Sequence, residues 1–345
     1  MRLRRPVALT SRPRVSVVVP CYNYGRFLPQ AVSSALDQEH VDVDVLIVDD
    51  ASTDDSAEVA HRLAAADERV ALLAHSTNQG HIRTYNEGLS KVSGDYVVLL
   101  SADDVLTTNS LTRATALMET HPEIGLVYGH APSFADVPAD IDTRTRSWSV
   151  WGPGEWMSAR VRRAKNPVYT PSAVLRTAAW SPIGVYDERL PHGADMLLWY
   201  QVAATWGVGR VNNGAQAGYR VHGANMHLTR FAGMLRDLVE QREVLRIFFD
   251  APPAGVELTG DLREQAHRSL VRRARRLALS SARDGADPEV VAAFTAFADE
   301  TEAAQGFTTR RVAGLADSAL EHRAAAFPRR VEEHLKWRLW RRYGI

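Results

Sequence analysis

Two adjacent carboxylates, Asp103 and Asp104, close a run that reads Asp95-Tyr96-Val97-Val98-Leu99-Leu100-Ser101-Ala102. Continuous apolar character marks a strand buried on both faces, as in a parallel sheet covered by helices. In open sheets of that kind, ligands gather beyond the carboxyl ends of the strands. Paired acids at that place can hold a hard divalent cation and, through it, a phosphate. The same residues could instead cap the next helix. Two more strand ends carry polar groups: Tyr22-Asn23 after Val15–Val19 and Pro20, and Asp49-Asp50 after Val43–Val48. Further on, Asp195 precedes the apolar helix start Met196-Leu197-Leu198-Trp199-Tyr200, where it could cap the helix. His222 sits within Tyr219-Arg220-Val221-His222-Gly223-Ala224-Asn225.

The elements that must position these groups alternate. Strands are expected at Val15–Val19, Val43–Val48, Val70–Ala74, Asp95–Leu100 and Ile124–Tyr128. Helices are expected between them, around Phe27–Gln38, Ala57–Ala66, Ile82–Val92 and Ser110–Glu119. Such alternation predicts βαβ units and an α/β fold with a mostly parallel central sheet. Residues 1–13 are basic and broken by Pro6 and Pro13, which reads as a loose arm. The stretch Ala131–Ser149 is polar and loop-like, a crowd of tryptophans follows (Trp148, Trp151, Trp156), and Tyr169–Leu175 reads as a strand. From about residue 229 the pattern turns helical, over Leu228–Phe249, Leu262–Ala282, Pro288–Ala304 and Arg310–Tyr343. The expected division is an arm at 1–13, an α/β domain at 14–228 and a helical region at 229–345.

Composition narrows the function classes. The 345 residues are 45% hydrophobic and 24% charged with a formal net charge of +0, so bulk charge calls for neither nucleic acid nor an acidic membrane. A single cysteine, Cys21, excludes an intrachain disulfide and suits a reducing cytoplasm. No apolar stretch approaches the ~20 residues of a spanning helix, and no secretory leader is evident, so a cytoplasmic protein is expected. The segment Val331–Arg342 mixes Trp337 and Trp340 with basic residues, which would suit packing against the main domain or the second subunit of a homodimer ahead of peripheral membrane contact. A dinucleotide-binding G-x-G-x-x-G is missing after the first strand, and no G-K-[ST] loop occurs. Carboxylate-rich strand ends without a glycine loop point to phosphates held through a metal.

Taken in order, Val-Ser-Val-Val-Val-Pro-Cys-Tyr-Asn (15–23), Val-Asp-Asp-Ala-Ser-Thr-Asp (48–54), Asn78-Gln79-Gly80, Asn86-Glu87-Gly88, Gly94-Asp95-Tyr96 and Ser-Ala-Asp-Asp (101–104) resemble the family 2 glycosyltransferases. The resemblance spans about residues 14–225 and implies a GT-A fold, an inverting reaction and a nucleotide-diphosphate sugar donor. It implies that Pro20, Tyr22 and Asn23 contact the nucleoside, with Tyr22 against the base. Asp50 would accept a hydrogen bond from a pyrimidine imide, which suits uracil or thymine and hence UDP or dTDP. Asp103 would hold ribose or metal, and Asp104 would ligate a bridging Mg²⁺ or Mn²⁺. His222 matches a histidine that helps hold metal or diphosphate, and Asp195 occupies the place of the catalytic base.

Three departures from the family pattern stand out. Ser101 replaces the first acid of the usual Asp-x-Asp-Asp, and Ala194 replaces the acid that commonly precedes Asp195. Thr84-Tyr85-Asn86 stands where many relatives have Ala-Arg-Asn, which nominates Arg83 as a substitute near the diphosphate. The acceptor is open among small molecules, carrier-bound intermediates and glycans, with Trp148–Trp156 and the 131–149 stretch as candidates for its side of the site. The rival readings are a nucleotide-sugar-binding relative without activity and a nucleotidyltransferase that makes such sugars.

Overall fold

Strands β2 (Arg14–Cys21), β3 (Asp42–Asp49), β4 (Val70–Ala74) and β5 (Tyr96–Leu99) run parallel, in the spatial order β4-β3-β2-β5. The computed structural model describes residues 1–136, 141–164, 166–184, 186–223 and 233–308. Helices α1 (Leu28–Leu36), α2 (Ser56–Ala66) and α3 (His81–Ser90) connect the four strands. Both faces of the sheet are covered, which is why its strands are apolar throughout. Val17, Val19, Val45, Ile47 and Val98 join one core with α1 and with α4 (Ser110–Thr120). Val18, Val48, Val97 and Leu99 point the other way, into a second core that holds α3. Pro20 is tolerated in β2 because the ladder to β5 has already ended at Val18↔Leu99.

Beyond β5 the sheet becomes mixed. Its order continues through β10 (Val174–Arg176), β7 (Ile124–His130), β11 (Gly207–Ala215), β9 (Ser147–Trp151) and β1 (Arg2–Arg4). β10 is antiparallel to both β5 and β7, whereas β11 is parallel to β7. The arm expected to be loose therefore starts as an edge strand, with Arg2–Arg4 paired against Trp148–Val150. The strand expected from Tyr169 begins only at Val174. Pro171, which lacks a backbone donor, sits in a 3₁₀ turn at Thr170–Ser172 instead. A small second sheet joins β6 (Val105–Leu106), β12 (Ala217–Arg220) and β8 (Ser133–Phe134).

The tryptophans turn out to be core residues. Trp148 and Trp151 sit in β9 and Trp156 in α5 (Glu155–Val161), and all three are buried. They offer no platform to an acceptor. The helical region is present as α8 (Met234–Asp250), α9 (Gly260–Arg283) and α10 (Pro288–Gln305). Its Leu238, Phe248, Leu270 and Phe297 belong to the same core as Val18 and Trp199 of the sheet region. The Val331–Arg342 segment, with its expected membrane or dimer role, lies outside the described residues. No helix among the described residues is long and apolar enough to cross a membrane.

One contact sets how close α3 lies to the sheet. A Cβ at Gly88 would come within 2.4 Å of Val18 Cγ1 and 3.0 Å of Val48 Cγ2. Gly88→Ala gains up to ~1 kcal/mol of helix propensity and loses ~1–3 kcal/mol to overpacking. Net destabilisation is the expected outcome, read from the midpoint of chemical denaturation. Unchanged stability would show that α3 can lift from the sheet at no cost.

Candidate active site

The carboxyl ends of β2, β3 and β5 open on a cleft of about 1800 Å³ lined by Pro20, Tyr22, Asn23, Asp50, Asp103, Asp104 and Asp195, among others. These residues come from widely separated parts of the chain. Each is held by contacts that its neighbourhood makes plain.

Asp50 is buried at the end of β3. Its Oδ1 accepts from the Gln79 backbone N–H at 2.7 Å and lies 2.7 Å from His75 Nδ1, while Oδ2 accepts from the Gly80 N–H at 2.9 Å. A carboxylate offers about four lone-pair sites, so Asp50 retains roughly one for a ligand donor. His75 bridges Asp50 to Glu87, 3.1 Å from its Nε2. Sequence reading missed His75, because nothing in the spacing of Ala74-His75-Ser76 signals a partner in β3. The next residue, Ala51, has φ of 56°, a left-handed conformation that costs an alanine ~1–2 kcal/mol. It is held by Asp49, which accepts from Ser52 N–H and Oγ, and by Asn23, whose Oδ1 accepts from the Thr53 and Asp54 N–H groups. Asn23 thus ties two strand-end loops together while facing the cleft. Tyr22 is 45% exposed beside it, a ring face open to stacking.

Asp103 and Asp104 follow β5 through a turn closed by the Asp104 N–H on the Ser101 carbonyl. The small sheet then brings β12 across them. The Arg220 N–H donates to Asp104 Oδ1 at 2.8 Å, and His222 Nε2 lies 3.1 Å from Asp103 Oδ2. The Arg220 guanidinium donates to the carbonyls of Asp103, Ala135 and Asp136 and to the Gln30 side chain. Burial pushes the Asp104 carboxyl well above the ordinary range, and the Asp103 charge adds to it. Burial likewise raises Asp103, against the opposing hydrogen bond from His222. Two buried acids side by side are what a divalent cation would relieve. No group of three or more His, Cys, Asp or Glu among the described residues is assembled to hold a metal. As hard oxygen donors, Asp103 and Asp104 would suit Mg²⁺ or Mn²⁺, with substrate phosphates or water completing the shell. His222 does not line the cleft. It packs on Phe27 and Tyr24, with ring centroids 4.9 and 5.5 Å away, and reaches the cleft through Asp103.

Asp195 is the second residue of α7 (Ala194–Thr205). Its Oδ1 accepts from the Met196 N–H at 2.6 Å, and its Oδ2 from Asn166 Nδ2 at 3.0 Å and Thr170 Oγ1 at 3.4 Å. Burial raises its carboxyl above the ordinary range, and these donors partly oppose the rise. Asn166 and Thr170 escaped sequence reading because they lie on an irregular stretch with no periodicity. Arg83 is not brought to the cleft: its Nε donates to Glu188 Oε2 at 3.1 Å on the surface. The cleft's guanidinium groups come instead from Arg160, Arg163, Arg272, Arg273 and Arg276, on α9 and around the end of α5.

This arrangement of strand ends has counterparts. Residues 16–176 match the model of the family described as "Glycosyl transferase family 2". That stretch of the chain is therefore similar to the family 2 glycosyltransferases. An uncharacterised glycosyltransferase of Haemophilus influenzae is 35% identical over 106 residues, 31% of this chain and 42% of that protein. The match thus spans less than half the length of that curated relative. Among solved structures, the mannosyltransferase PcManGT from Pyrobaculum calidifontis, in complex with GDP-Man and Mn²⁺, superposes with a TM-score of 0.59 at 16% identity, over 98% of this chain and 86% of that one. S. aureus TarS 1–349 in complex with UDP-GlcNAc gives 0.53 at 16% identity, over 86% and 93%. These likenesses establish a GT-A-type fold for this chain.

Proposed function

We propose that this protein is a glycosyltransferase that moves a sugar from a UDP- or dTDP-sugar to an acceptor hydroxyl or amine by a single inverting displacement, with Asp195 as general base. The observation that carries this reading is that Asp195, a half-buried carboxylate with its pKa raised, opens on the same cleft as Asp50, Asp103 and Asp104. A group poised above the ordinary carboxylate range is a stronger base for an attacking hydroxyl than a solvated aspartate. Tyr22 would stack on the base while Asp50, with about one lone pair remaining, accepts its imide N–H. Asp103 and Asp104 would hold the cation, with His222 orienting Asp103. When bound, Mg²⁺ or Mn²⁺ supplies charge that stabilises the leaving diphosphate.

The structural relatives were solved with a guanine-nucleotide sugar in one case and a uracil-nucleotide sugar in another, so the base is a matter for experiment here. The test is release of nucleoside diphosphate from UDP-, dTDP- and GDP-sugars with Mn²⁺ and no added acceptor. Slow hydrolysis confined to UDP- or dTDP-sugars is the expected result. Preference for a GDP-sugar would remove Asp50 as a pyrimidine reader. Silence with every donor, despite donor binding, would favour a binding protein over an enzyme.

A further inference from the structure

We infer that the acceptor of this enzyme carries phosphate and that one face of α9 grips it; this inference rests on the glycosyltransferase reading above. Ser269, Arg272, Arg273 and Arg276 fall at i, i+3, i+4 and i+7 along α9, and all four line the cleft. That spacing places them on one helical face. Arg160 and Arg163 line the cleft from around the end of α5. The two walls are joined where Ser269 Oγ donates to the Arg162 carbonyl at 2.5 Å.

The arginines of α9 divide by direction. Of those turned away from the cleft, three are neutralised: Arg263 by Asp250, Arg268 by Glu264, and Arg275 by Asp299 and Glu302. Those turned toward it are not. Among the described residues, Arg272 donates to Ser269 Oγ and Arg273 to Gln241 Oε1, and neither these two nor Arg163 and Arg276 has a carboxylate partner within ion-pair distance. In a chain of formal net charge +0, a row of guanidinium groups without acids on the wall of a substrate cleft is a local device. Guanidinium forks match phosphate oxygens two at a time.

The donor's own diphosphate is the competing occupant. The strand-end wall already offers a route to it, through the carboxylate pair and a cation, and the acids Asp50, Asp103 and Asp104 all belong to that wall. The helical wall carries mostly the opposite charge, its lining acid Asp237 lying 2.9 Å from His192 Nε2. A donor on the acidic wall and a phosphate-bearing acceptor on the basic one would meet in the space onto which Asp195 opens.

The test separates the two occupants. Protein saturated with UDP and Mn²⁺ is titrated with dextran sulfate, with neutral dextran as control. The sulfated polymer alone should bind, and Arg272→Ala/Arg276→Ala should weaken it by about tenfold or more, the scale of lost charge-assisted contacts. Arg272→Lys/Arg276→Lys should restore most of the binding, which also shows that the substituted helix folds. Equal binding by the alanine variant would overturn the assignment. So would a parallel loss of UDP affinity, which would make these arginines donor residues. Displacement of the polymer by glycerol 3-phosphate or by dioctanoyl phosphatidate would identify a water-soluble or a lipid-borne phosphate; displacement by neither would overturn phosphate as the recognised group. Absence of donor hydrolysis with polyanion binding intact would refute the enzyme reading instead.

Discussion

Asp195→Asn is expected to lower the transfer rate ~100-fold or more while UDP binds almost as before, the usual scale for a lost general base. The substitution preserves shape and removes basicity. The Met196 N–H can still find the amide oxygen, so the first turn of α7, whose N-cap is Gly193, keeps that contact. A second signature separates a base from a mere cap. Because burial raises the folded carboxyl, Asp195 is protonated, and useless as a base, up to a higher pH than an ordinary aspartate. The wild-type rate should therefore fall on the acid side with a midpoint above the ordinary ~4 of aspartate. The residual rate of the asparagine variant should lack that limb. An unaltered rate would discard the assignment, and so would an acid limb that stays in place after the substitution.

How much of this site was legible beforehand follows from the range of the interactions. The parallel half of the sheet could be read because each strand is buried on both faces and carries its own apolar run. Asp50, Asp103, Asp104 and Asp195 were legible because each sits at a break in such a run. What could not be read depends on contacts across the chain. Nothing local says that β12 will lay Arg220 and His222 over two acids that precede them by more than a hundred residues, or that His222 will stop behind Asp103. Arg83 was nominated by nearness to a family position, but its place on α3 turns it to the surface and Glu188. The tryptophans' spacing favours packing over a sugar platform, and β9 and α5 do bury them, which removes them from the acceptor side. The arginine face of α9 did leave a trace at i, i+3, i+4 and i+7, but charge at helical spacing is the common look of a solvated surface. Only the cleft beside it makes that stripe meaningful.

Asp104→Ala should abolish the dependence of UDP binding on Mn²⁺ or Mg²⁺. In the wild-type chain, calorimetry should find UDP bound more tightly with the cation than without it. In the variant the two affinities should coincide. The reason lies in the pair: each buried carboxylate raises the cost of the other's charge, and Asp104 is raised by burial first and by Asp103 second. A cation relieves both at once, whereas removing Asp104 leaves Asp103 with His222 at 3.1 Å and little need of a metal. With Ser101 at the position where relatives carry another acid, no third carboxylate stands in the motif to compensate. The variant need not lose stability, since a buried charge has been deleted along with one hydrogen bond from the Arg220 N–H. Retention of full cation dependence would move the metal onto Asp103 and substrate alone. Loss of UDP binding in the absence of any cation would instead mark Asp104 as a structural support for β12, through the Arg220 N–H it accepts. The two results are read from the same pair of titrations, so the experiment decides between a metal ligand and a strut.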